Sequence, residues 1–185
     1  MLSWTAVLWD NVDEEFISKP RQRDASSVGS FRIWSGPISS IFDFATYIFM
    51  CFVFCPMFVS NGILVNDLPA YYSGAQLVSM QEQYIGMFQA GWFVESMWSQ
   101  SLIIHMIRTQ KLPFIQSSAS ATVIWLKLLS CVIVTIIPFT GFGNLLGFEA
   151  LSVEYFVYLI ACILLYMLLA TSLKKAYIRH YGELL

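Results

Sequence analysis

Few side chains in this sequence could do chemistry, and the most informative of them is Glu95. It lies in a long apolar run, 11 residues past Tyr84. On a helix rising about 1.5 Å per residue that places it roughly 16 Å along the run. At 100° per residue Gln89, Trp92, Glu95, Ser96, Ser99 and Gln100 share an arc of about 140°, opposite Phe93, Met97 and His105. Such a face must look into protein or a watery cavity. Its oxygens are hard ligands of the kind Mg²⁺ or another hard cation selects, and they are equally the groups that hydrogen-bond one helix to another. The residue types leave a metal role for Glu95, Gln89, Ser99 and Gln100 and a helix-joining role equally open.

Other ionisable groups within apolar runs are less isolated. Asp43, Lys127 and His105 each lie near a predicted span end, where the expected roles are interfacial anchoring or an Asp43 to Lys127 pairing. Soluble-enzyme signatures are absent from the sequence: it has no Gly-rich phosphate loop, no GxSxG and no HExxH. The four cysteines, Cys51, Cys55, Cys131 and Cys162, fall in apolar runs and read as small hydrophobes. No catalytic residue and no resident cofactor is expected from these patterns.

The elements that position Glu95 follow from composition. Of 185 residues 57% are apolar and 12% charged, with a mean hydropathy of +0.65. That is more apolar side chain than a soluble domain of this size can hide, so lipid is the expected solvent. Four runs are long enough to cross a hydrocarbon core of about 30 Å: Ile41 to Val59, Tyr84 to Ile107, Ala121 to Phe139 and Tyr155 to Leu173. Backbone groups in lipid must be satisfied within the segment, which makes these runs helices. The expected fold is an all-α integral membrane bundle of four complete transmembrane helices.

Charge sets its expected orientation. Lys19, Arg21, Arg23 and Arg32 precede the first run, Arg108 and Lys111 join the second to the third, and Lys174, Lys175 and Arg179 follow the fourth. The connections Ser60 to Gln83 and Thr140 to Glu154 contain no Lys or Arg. The positive-inside rule then puts both termini in the cytoplasm. With a net charge of −2 and no basic patch, nucleic acid is not an expected partner. Residues 10–40 form the one long polar stretch and read as a cytoplasmic loop, and residues 1–9 are about half the length of a span. A signal peptide is not expected in MLSWTAVLW, and the half span suggests a chain that starts inside something larger.

The string Phe88-Gln89-Ala90-Gly91-Trp92-Phe93-Val94-Glu95-Ser96, continuing through Ser99-Gln100 to His105-Met106-Ile107-Arg108-Thr109 and Pro113-Phe114, resembles the eighth membrane helix of bacterial P-type cation ATPases, most nearly the magnesium-transporting branch. Asp10-Asn11-Val12-Asp13, Lys19-Pro20, the stretch Gly36 to Asp43 and the tail Tyr177 to Gly182 agree with it. The resemblance implies that residues 1–9 end a sixth helix, that 10–40 abut the phosphorylation domain, and that 41–185 hold helices seven to ten and a cytoplasmic tail. It also implies that Glu95 occupies a cation-coordinating position, that Mg²⁺ is the transported ion, that the bacterial inner membrane is the location, and that ATP is used in the remaining domains and helices of the pump. The DKTGT phosphorylation motif, the TGE loop and a nucleotide-binding domain are not in this sequence, so it is not expected to hydrolyse ATP alone. The alternative is a stand-alone four-span scaffold or regulatory subunit, with a passive channel a distant third because one polar face per chain would need oligomerisation to line a pore.

Overall fold

The computed structural model describes residues 25–108 and 120–181, and among these every regular element is helical. Helix α1 (Ala25–Phe49) passes into a π-helical turn, Met50–Phe54, and ends in a short helix α2 (Cys55–Phe58). A loop holding the single turn α3 (Leu68–Tyr71) leads to the 35-residue α4 (Gly74–Arg108). Helix α5 (Ala121–Ile136) closes with a 3₁₀ turn, Ile137–Phe139, and short α6 (Gly141–Leu145) precedes α7 (Val153–Tyr181). Helices α1, α4 and α7 pack on one another, and α5 leans on α4.

Three helical segments are long and apolar enough to cross a membrane: Gly36–Phe58, Ala121–Phe139 and Val153–Arg179. They correspond to the first, third and fourth predicted runs. The predicted second span, Tyr84 to Ile107, is not among them: its helix is ample in length, about 52 Å at 1.5 Å per residue, but does not reach the same apolarity. Gln89, Glu95, Ser96, Ser99 and Gln100 dilute it, and they are the residues that drew attention to it. The polar stretch 10–40 is helical from Ala25 onward, continuous with α1 through Pro37. The preceding residues 1–24, with the half span 1–9, lie outside the described residues.

The distribution of side chains on α7 is the reverse of a soluble helix. Val157, Ile160, Leu164, Leu165 and Leu168 point outward, while Tyr155, Leu159, Cys162, Tyr166 and Ala170 form the buried stripe at spacings of four, three, four and four. In lipid an aliphatic side chain loses nothing by facing out, whereas a tyrosine hydroxyl needs a partner that only the protein supplies. Phe42 meets Tyr166 edge to face at 5.4 Å and Phe49 stacks on Tyr158 at 3.9 Å, which fixes α1 antiparallel to α7.

The π turn is explained by its neighbours. Cys55 N–H bonds to Met50 O, five residues back, and the next bond in that series would come from residue 56 to Cys51 O. Residue 56 is proline and has no N–H. The Tyr84 hydroxyl of α4 donates to Cys51 O in its place. The wider turn carries Met50 inward, fully buried, onto Gly91 of α4, where a Cβ would stand 2.4 Å from the methionine methyl and 3.2 Å from the Tyr155 ring.

Close approach also fixes the opposite edge of α4. A Cβ at Gly86 would lie 2.6 Å from Gly147 O, a backbone atom in the turn between α6 and α7 where Gly147 itself has φ +76°. Gly86→Ala is therefore expected to lower the thermal unfolding midpoint of the purified protein. Gly36→Ala, where nothing lies within 4 Å, is expected to leave it unchanged or to raise it through the helix propensity gain of up to about 1 kcal/mol.

Candidate functional site

Glu95 is 3% exposed, enclosed by the chain's own helices. From α1, Asp43 and Thr46 stand beside it, and from α7 the hydroxyls of Tyr155, Tyr158 and Tyr166 and the thiol of Cys162 lie within its electrostatic reach. Burying a carboxyl this deeply is costly unless its oxygens are hydrogen-bonded or ligated. Oε2 of Glu95 has no hydrogen-bond partner among the described residues.

The surrounding polar groups are tied in pairs that join helices. Ser96 Oγ of α4 donates to Asp43 Oδ1 of α1 at 3.1 Å. Thr46 Oγ1 of α1 and Tyr158 OH of α7 are 3.0 Å apart and hydrogen-bonded. Tyr155 OH of α7 donates to Gly91 O of α4 at 2.5 Å, one turn from Glu95. Trp98 Nε1 donates to Thr135 Oγ1 of α5 at 3.0 Å, and the Thr135 hydroxyl donates to Cys131 O at 2.7 Å. Every pair of packed long helices thus shares at least one side-chain hydrogen bond.

The four residues that the sequence suggests as cation ligands divide into two sets. Glu95 and Ser99 are buried, Ser99 one turn further along the same face with its hydroxyl on Ser96 O. Gln89 and Gln100 are exposed, and Trp92 between them is 44% exposed. The reason is rotational: the glutamines lie about 120° to 140° around the helix from Glu95, beyond the seam that α1 and α7 cover. The polar arc is therefore split, with one margin inside the bundle and the other on its surface. Asp43 is not a lone interfacial anchor, because Ser96 binds it across the α1–α4 seam. Lys127 is half-buried on α5, and the His105 side chain lies outside the described residues.

Thr46, Tyr155, Tyr158 and Tyr166 were not singled out by sequence. The available signal was the tyrosine spacing in an otherwise Leu- and Ile-rich span, where Tyr155 and Tyr166 stand three turns apart on one face. Among the described residues no group of three or more His, Cys, Asp or Glu is placed to hold a metal ion. Asp43 and Glu95 are the two carboxyls that approach each other, so a cation here would draw further oxygens from hydroxyls, backbone or other polypeptide. All four cysteines are free thiols, with Cys55, Cys131 and Cys162 buried and Cys51 half-buried.

Residues 2–176 match the family described as "Cation transporting ATPase, C-terminus". The chain belongs to that family. It is 38% identical over 182 residues to the "Magnesium-transporting ATPase, P-type 1" of Salmonella typhimurium strain LT2, and 36% identical over 181 residues to the protein of that name from Escherichia coli K12. Each alignment takes in 98% of this chain and 18% of the relative, so the chain spans less than a fifth of the length of the curated proteins it matches. Within this family region the α1–α4–α7 seam holds the two carboxyls, and the test of that seam is energetic. In a double-mutant cycle, Thr46→Val and Tyr158→Phe are expected to couple by about 0.6 kcal/mol and by no more than roughly 1.7 kcal/mol, read from the unfolding free energy in mixed micelles. A coupling of zero would detach the pair from the bundle's stability.

Proposed function

We propose that this chain is the C-terminal membrane region of a P-type ATPase that moves magnesium, or a related divalent cation, across the bacterial inner membrane. The observation that carries this reading is the match over 98% of the chain to proteins named as magnesium-transporting ATPases. Four spans are proposed, α4 counting as the second of them despite its polarity, with both termini cytoplasmic. Nine basic residues on one set of connections and none on the other support that orientation. Residues 1–9 are then the end of an earlier membrane helix, 10–40 a cytoplasmic connection, and 41–185 a bundle that buttresses ion-transport helices in the rest of the pump.

Within this reading ATP is hydrolysed by domains elsewhere in the pump, and the bundle contributes position and charge. A carboxyl about 20 Å from the Arg108 end of α4 sits too deep to reach the headgroups, and an oxygen without a protein partner is suited to a hard cation. Glu95 is the proposed ligand, with Ser99 beside it. Gln89 and Gln100 face outward, where the remaining helices of the pump would meet α4. The second reading is that Glu95 joins helices without touching the cation, and its enclosure by α1 and α7 alone favours that.

The deciding experiment is Glu95→Gln in the complete pump, assayed for Mg²⁺ uptake by cells that depend on it. The ligand reading expects uptake to fall by at least about tenfold, equivalent to about 1.4 kcal/mol of lost interaction, with the bundle's unfolding midpoint little changed. Uptake at the wild-type level with a destabilised bundle would establish the joining role and remove Glu95 from the ion path.

A further inference from the structure

Two buried oxygens on the packed helices α4 and α7 have no hydrogen-bond partner among the described residues: Glu95 Oε2, on a residue 3% exposed, and the Tyr166 hydroxyl, on a residue 1% exposed. They come from different helices, and Tyr166 lies within electrostatic reach of both Glu95 and Asp43. Two small side chains, Thr46 and Cys162, lie within electrostatic reach of the carboxyl. The surrounding hydroxyls are already engaged, Thr46 with Tyr158, Tyr155 with Gly91 O and Ser99 with Ser96 O.

The chemistry of the pair specifies its guest. A phenol O–H is a donor in need of an acceptor, and a carboxylate oxygen is an acceptor in need of a donor. A molecule that meets both must accept from one and donate to the other, which water does and a bare cation does not. Leaving both groups unmatched would cost on the scale of two buried polar desolvations, whereas a water with two or more polar partners satisfies them at little cost in entropy. We infer that Glu95 Oε2, Tyr166 OH and the flanking Asp43 form a binding site for an internal water held between three helices. The site belongs to this chain's own fold. It does not depend on which ion the complete pump moves, but a water on Oε2 excludes a cation at that oxygen and so favours the helix-joining reading of Glu95.

Hydroxyl-radical footprinting in H₂¹⁸O, on the full-length chain in lipid nanodiscs, reads this directly, since radicals formed from a bound water label the side chains it touches. Tyr155 is the internal control: it is equally buried at 0% exposure, but its hydroxyl is already bonded to Gly91 O. Tyr166 is expected to take up ¹⁸O several-fold more than Tyr155, equally in Mg²⁺ and in chelator. In Tyr166→Phe the labelling of residue 166 is expected to fall to the Tyr155 level. Equal labelling of Tyr166 and Tyr155 in the wild-type protein would overturn the water site. Labelling that appears only after chelation would also overturn it, in favour of an ion held at the same oxygens. Neither readout uses transport, so a failure here is separable from a failure of Glu95→Gln to affect uptake.

Discussion

The organising constraint is that hydrocarbon offers no hydrogen-bond partner, so polar side chains on the packed helices are drawn to partners between them. Ser96 with Asp43, Thr46 with Tyr158, and Tyr155 with Gly91 O are the outcome. Each bond crosses a different seam, and together they define which face of α1, α4 and α7 is inward. Hydrophobic burial cannot make that selection, because an outward leucine on α7 is as well solvated by lipid as an inward one is by protein. The buried tyrosine stripe and the aliphatic outer face of α7 are two sides of the same requirement.

The same constraint shapes the backbone. A proline within a spanning segment leaves one carbonyl without its donor, and α1 meets this by widening into a π turn whose open oxygen is taken by Tyr84 of α4. The turn shifts Met50 onto Gly91, and Gly91 in turn receives the Tyr155 hydroxyl on its carbonyl. Three helices are therefore registered against each other within one turn of Glu95. The acid group sits where the backbone is least free to adjust.

The limits of sequence reasoning follow from which signals are local. The apolar runs of α1, α5 and α7 are local properties of lipid solubility, and their bounds are legible to within six residues, Ala121 to Phe139 in full. What is not local is rotation about the helix axis: periodicity reveals a polar arc on α4 but not where the seam with α1 and α7 cuts it. Glu95 and Ser99 fall inside that cut and Gln89 and Gln100 outside. Asp43 reads as a boundary residue until Ser96 is seen opposite it, and no pattern within α1 announces a partner 53 residues away. The π turn is likewise invisible to a period of 3.6, although Pro56 marks its place.

The substitution of Tyr84 for the absent proline N–H has a temporal side. Tyr84 follows Cys51 by 33 residues, so the Cys51 carbonyl is made before its donor. At roughly 5 to 20 residues per second, the interval is on the order of seconds. Through that interval the Cys51 carbonyl has no covalently proximate partner and must rely on water or on the insertion machinery. The hydrogen bonding of α1 is thus completed only by α4, so the two helices are one unit in the order of assembly.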